Sequence, residues 1–260
     1  MPTAVEFMKQ YRNLKVSTVI EDPVSQTCRP GQHVVELKKY FMMDWGDKDD
    51  PTDVTEEERD YHNVTSGSGK NEWFKANKER IKTAAMGKGA PVDYELALEW
   101  AARSGKIRDV TQASLQQFCD DHLGIDCSGF VTNFLCVNGK RTYSAGLLRG
   151  TNAASYFQPA LAVNDPSRVM PGDLLVWMKG NSVKRSPGHI AVVESYSPQC
   201  HAGGNMRVVE ATGNSRATPK LLDSMYSVER IIPKGGDVPV MILVVKRHGR
   251  SGDRVAVIRV

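Results

Sequence analysis

The hydrophobic period changes near Pro171, and that change limits the folds open to the chain. Upstream, apolar residues recur at helical spacing. Asn71 to Met86 carries Trp73, Phe74, Ala76, Ile81 and Ala84, while Pro91 to Ser104 carries Tyr94, Leu96, Leu98, Trp100 and Ala101. Gly105 stands where the second of these helices should stop, and Thr111 to His122 and the segment led by Cys127 supply a third and a fourth. Downstream, short apolar runs bounded by Pro, Gly and Asn read as strands, ending with Val240 to Lys246 and Arg254 to Val260. Helices first and antiparallel strands after predict an α+β fold.

The region before residue 71 is less regular. It begins with a short amphipathic segment and a strand over Lys15 to Ile20, broken at Pro30-Gly31, and an apolar stretch runs from Val34 to Met43. Asp44 to Asp60 is densely acidic but lacks the ordered Asp-x-Asp-x-Asp-Gly pattern of a calcium loop, so it reads as a solvated loop and helix start with Thr55 as N-cap. Ser66-Gly67-Ser68-Gly69 reads as a joint. The expected division is residues 1–90 as an N-terminal extension and residues 91–260 as the functional domain.

Chemistry concentrates in Gly124-Ile125-Asp126-Cys127-Ser128-Gly129-Phe130-Val131. Small and polar residues lead into a helix whose buried face is set by Phe130, Val131, Phe134 and Leu135. A thiol in the first turn faces unpaired N–H groups and the positive end of the helix dipole, which favour thiolate. Gly129 lets another chain approach closely. A base for this nucleophile stands at the head of a strand, Gly188-His189-Ile190-Ala191-Val192-Val193-Glu194. The next strand, Met206 to Thr212, folds back as a hairpin and brings Glu210 roughly opposite His189, where a carboxylate can orient the imidazole. Glu194 and Asn214 compete for that third role. The backbone N–H of Cys127 is a natural oxyanion donor.

Four blocks in this order, Asp126 to Val131, Leu148-Arg149-Gly150-Thr151, Pro171-Gly172-Asp173-Leu174 and Gly188 to Val193, resemble the NlpC-type cell-wall cysteine peptidases and the related CHAP amidases. The resemblance covers roughly residues 120 to 215. It implies a papain-like core, with a helical first half packed on an antiparallel sheet, and hydrolysis of amide bonds in peptidoglycan stem peptides. By position, Cys127 would be the nucleophile, His189 the base and Glu210 the third polar residue. Asp126 and Ser128 would sit on the substrate or oxyanion side. Arg149 could meet an anionic substrate or cap a helix. The chain departs from the family in lacking the aromatic-Trp-Gly stretch ahead of the cysteine, so the family's substrate-side tyrosine has no counterpart in the motif region.

The remaining composition narrows the partners. A net charge of +4 suits an anionic polymer, but the charges are interspersed without a basic arm, which argues against nucleic acid. The longest apolar run, Val238 to Val245, is too short to span a bilayer. No secretory signal is visible in Met1 to Tyr40, so the expected location is the cytoplasm at synthesis, with export to a rival cell's periplasm by a signal-independent machine and a cognate immunity protein as partner. Five cysteines at irregular spacing do not form a disulfide framework. Cys119, His122, Cys127 and Cys136 lack metal-ligand spacing, so neither a metal nor a cofactor is expected. A thiol-dependent transferase or deamidase on a non-wall substrate, and a binding module without catalysis, are the competing classes.

Overall fold

A computed structural model describes residues 1–21, 28–42, 55–67, 71–199 and 203–260. The acidic residues 44–53, Ser68-Gly69 and Cys200-His201 lie outside them. The chain opens with α1 (Ala4–Tyr11), capped by Thr3, and a hairpin of β1 (Leu14–Glu21) and β2 (Cys28–Val35). The two-residue strand β3 (Lys39–Tyr40) follows. Then come α2 (Glu56–Thr65), α3 (Glu72–Ala85), α4 (Pro91–Arg103) and α5 (Gln112–His122). The short β4 (Gly124–Ile125) leads directly into α6 (Cys127–Val137), and α7 (Ala145–Gly150) ends the helical half.

The strand half is β5 (Leu174–Lys179), β6 (Ser182–Val183), β7 (Ile190–Gln199), β8 (Gly203–Ala211), β9 (Leu221–Ile232), β10 (Ile242–Arg247) and β11 (Arg250–Ile258). Here the structure corrects the expected architecture. The strands run in the order β11-β10-β9-β8-β7-β5-β6, and β11 also pairs with β5, Val255 opposite Trp177 and Ile258 opposite Leu174. Six antiparallel strands therefore close into a barrel with β6 as an addition. This is not a papain-like core of helices packed on an open sheet.

Alternation explains why the barrel can close. Leu175, Trp177, Ala191, Val193, Met206, Val208, Leu243, Val245, Val255 and Val257 form one apolar cluster made of one face of the strands, which fills the interior. Their neighbours of opposite parity, including Leu174, Val176, Ile190, Val192, Val209, Ile242, Ala256 and Ile258, join a second cluster with the helices. Both strand faces are buried there, so the runs read as continuously apolar rather than alternating.

That second cluster crosses residue 90. Phe7 and Tyr11 of α1 pack on Phe130 of α6 with ring centroids 5.7 and 6.0 Å apart, and the Tyr11 hydroxyl donates to the Gly89 carbonyl at 3.0 Å. The β2 edge is tied to α5 by Gln112 and Gln116 on the Val34 and Glu36 backbone. The first 90 residues thus share the core that carries Cys127. No helix among the described residues is long and apolar enough to cross a membrane.

Candidate active site

Cys127 is the first residue of α6, and its position is fixed from three sides. Upstream, Gly124 and Ile125 pair in parallel with Lys39 and Tyr40. At the turn, Asp126 is the N-cap: its carboxylate accepts from the Gly129 N–H and its own N–H donates to the Gly87 carbonyl at 2.9 Å. Beneath it, a Cβ at position 129 would lie 2.5 Å from the Gly87 oxygen and 2.9 Å from Lys88 Cα, so only glycine admits the 87–88 chain there. Lys88 then closes the knot. Its Nζ reaches Asp126 at 2.5 Å, Ser128 Oγ at 2.5 Å and the Thr151 carbonyl at 3.0 Å. Ser128 and Asp126 border the cleft, but their polar atoms are engaged in this buried cluster.

His189 is positioned by the barrel. Residues 206, 208 and 210 share a strand face, as do 243, 245 and 247, 226 and 228, 175 and 177, and 189, 191 and 193. The apolar interior therefore ends in a polar cap of His189, Glu210, Tyr226 and Arg247, with Trp177 among them. Glu210 is fully buried and each oxygen has two donors. Oε2 accepts from His189 Nε2 and Arg247 Nη1, both at 2.8 Å, while Oε1 accepts from the Tyr226 hydroxyl at 2.5 Å and His248 Nε2 at 2.8 Å. The Arg247 guanidinium lies 4.6 Å over the Trp177 ring, whose edge meets the His189 imidazole at 4.4 Å and 71°. Asp253 holds the other side of Arg247 at 2.7 Å.

Electrostatics follow from this packing. Burial alone would expel charge from Glu210, but the hydrogen bonds from His189 and His248 and the nearby cations hold its carboxyl well below the usual range. Burial likewise opposes the imidazolium of His189. The hydrogen bonds and charges of Cys127 and Glu210 outweigh it and raise the ring from an ordinary 6.5 to about 9. Glu210 is thus the carboxylate that holds the His189 ring, although Val192 pairs with Val209 and that register, continued, places Thr212 across from His189. Glu210 is two positions away on the same face. Of its competitors, Glu194 accepts instead from the Val5 N–H, and Asn214 lines the cleft.

The helical half and the barrel meet so that the Cys127 side chain is in hydrogen-bonding reach of the His189 ring. Glu210 occupies Nε2, which leaves Nδ1 for the thiol. A second side chain stands at the thiol: Tyr40, whose hydroxyl meets Met42 Sδ at 4.0 Å and whose phenol is pushed up by burial, then by the charges of Cys127 and Asp126. Its ring rests on Gly213, where a Cβ would lie 3.0 Å from Tyr40 Cδ1. Comparison with known protein families, characterised proteins and solved structures finds no match to this chain. A functional reading therefore rests on the site itself.

Two hollows of about 300 Å³ each flank the Cys127–His189 pair and share Tyr40, Met42 and Gly188. The cysteine-side hollow is bordered by Arg149 and Arg185, and the histidine-side hollow by Lys184, Arg250 and His248. Arg149 lies in the last turn of α7, where it donates to the Ala145 carbonyl at 3.3 Å and pairs with Glu79 at 2.6 Å. Among the described residues, Lys184, Arg185 and Arg250 have no ion-pair partner. The other described thiols are elsewhere: Cys119 is fully buried and Cys136 half-buried, and burial raises both above the usual range. His122 pairs with Asp60 at 2.8 Å. Sequence reasoning passed over Tyr40, Lys88, Tyr226, Arg247 and His248. Only the parity of 243, 245 and 247 on one strand pointed to any of them.

Proposed function

We propose that the protein is a cysteine hydrolase, a peptidase or amidase of NlpC-type chemistry, acting on peptidoglycan stem peptides. The observation that carries the reading is the Cys127–His189–Glu210 chain, a thiol at a helix N-terminus facing an imidazole whose far nitrogen is held by a buried carboxylate. In the proposed reaction the Cys127 thiolate attacks an amide carbonyl. His189, kept protonated by its surroundings, gives its proton to the leaving amine, and an acyl-thioester forms. His189 then takes a proton from water, which attacks the thioester, releases the carboxylic acid and returns the thiolate beside a protonated imidazole. Glu210 orients the imidazole throughout. The Cys127 N–H, first in α6 and without an intrahelical partner, is one oxyanion donor, and the Tyr40 hydroxyl, on the same hollow as Cys127, is a second. Unpaired cations on both sides of the dyad favour a substrate bearing carboxylates, as stem peptides do.

Mass spectrometry of diaminopimelate-type peptidoglycan, digested with wild type and with Cys127→Ala, tests the reading. New fragments from wild type alone are expected, and their masses separate endopeptidase from amidase. Intact peptidoglycan in both, from a protein whose Cys127 still alkylates selectively, would favour the transferase or deamidase class instead.

We further propose delivery as an antibacterial effector that is made in the cytoplasm, acts in a target periplasm and is restrained by an immunity protein. Cytoplasmic expression is then harmless, and periplasmic targeting lyses cells only when Cys127 is present. Equal toxicity of Cys127→Ala would end this proposal.

A further inference from the structure

The β10–β11 connection is a two-residue turn. Arg247 pairs with Arg250, and His248 and Gly249 between them have φ of +46° and +76°. Positive φ at both central positions is the geometry that favours Asn-Gly, because an ordinary side chain at the first position is strained. His248 is the one residue other than glycine with positive φ among the described residues. The strained backbone delivers an imidazole to the barrel cap, where Nε2 lies 2.8 Å from Glu210 Oε1. His189 meets the other oxygen of the same carboxylate at the same distance. His248 keeps about a fifth of its side chain exposed, at 21%, and borders the histidine-side hollow.

We propose that His248 is a positioning residue for the dyad, and this rests on the catalytic reading above. A carboxylate held on one oxygen alone can swing about its last torsion, which for a glutamate is broad. Two donors on Oε1, Tyr226 and His248, remove that freedom and keep Oε2 aimed at His189 Nε2. The groups around His248 suit this role on every side. Glu210 comes from β8 and Tyr226 from β9, with ring centroids 6.4 Å apart for Tyr226 and His248. Arg247, Arg250 and Asp253 flank it on the hairpin, and Lys184 lies across the hollow. Only Glu210 among these offers a carboxylate oxygen to the imidazole, since Asp253 is taken by Arg247.

The test separates positioning from turn stability by using a residue that suits the turn and cannot reach the carboxylate. His248→Asn relaxes the backbone, because asparagine tolerates positive φ, but its amide is too short to replace Nε2. His248→Gln keeps a donor near that position. Rates of Cys127 alkylation by iodoacetamide, assigned by peptide mapping and followed against pH, read the dyad without any assumed substrate. His248→Asn should slow Cys127 at neutral pH by about 10-fold, the loss of one charge-assisted hydrogen bond, while relief of the strained turn offsets part of its cost in Tm. His248→Gln should recover most of that rate despite a Tm no higher than wild type. Wild-type alkylation and pH profile in His248→Asn overturn the positioning role, and so does a His248→Gln variant as slow as Asn. A wild-type Cys127 no more reactive than an exposed thiol overturns the catalytic reading and this proposal together.

Discussion

Two buried polar clusters hold the two halves of the dyad, and they are built on opposite plans. Under Cys127, Lys88 meets one carboxylate, Asp126, and its remaining contacts are a hydroxyl and a backbone carbonyl. Asp126 spends its other contacts on the turn it caps, accepting from the Gly129 N–H and the Ser128 hydroxyl. Every link joins chain to chain, 87–88 to 126–129 to 151, so the cluster fixes where α6 begins. Under His189, Glu210 gathers an arginine, a tyrosine and two histidines. Both clusters escape the penalty of burying charge by matching it. Only the second holds an imidazole that faces the thiol, His189, raised to about 9. The same desolvation physics fixes a helix start in one place and an imidazole facing a thiol in the other.

Breaking each cluster should separate those roles. Lys88→Met leaves Asp126 buried without its cation, and Glu210→Gln leaves Arg247 without its inner carboxylate. Each should cost about 3–5 kcal/mol, read as a lower urea midpoint. Their pH behaviour should differ. His189 is raised from 6.5 to about 9, so its contribution to stability is fully present below pH 6.5 and is lost as pH rises to about 9. Glu210 is depressed, so its contribution is present above its ordinary 4.5 and is lost as pH falls below that. Wild-type stability should therefore be greatest between about pH 4.5 and 6.5, and the base limb of hydrolysis should lie near 9. Glu210→Gln should pull that limb down toward 6.5 and flatten the alkaline loss of stability, whereas Lys88→Met should leave the limb in place. A limb near 9 in Glu210→Gln would show that the carboxylate does not set the imidazole.

How much of this was legible in the sequence depended on the range of the interaction. Cys127 and Gly129 could be read because capping and close approach act within a few residues, and Gly129 does admit another chain. Glu210 was within reach because a hairpin and a period of two place it near His189, although the register was off by two. Barrel closure was not legible. It depends on β11 returning to β5 across more than seventy residues. The continuous apolar runs at Leu174–Trp177 and Ile190–Val193 announce two buried faces without naming what covers each. Arg247-His248-Gly249-Arg250 reads as an exposed basic turn, and only closure carries it to the carboxylate.

Tyr40 offers the smallest and most selective break. It reaches Cys127 through a two-residue parallel pairing, Lys39 with Gly124 and Tyr40 with Ile125, which carries no recognisable periodicity. Its phenol feels the charges of Cys127 and Asp126, and Tyr40→Phe leaves the ring on Gly213 while removing one donor from the cleft. Stability should change by about 1 kcal/mol or less, as the partly open site lets water replace the bond. If the hydroxyl meets the developing oxyanion, kcat should fall about 10-fold with KM nearly unchanged, since the interaction is made chiefly in the transition state. A rise in KM at constant kcat would instead make Tyr40 a wall of the cleft. Either result assigns a role to the first ninety residues, because this tyrosine brings them to the hollow that Cys127 lines.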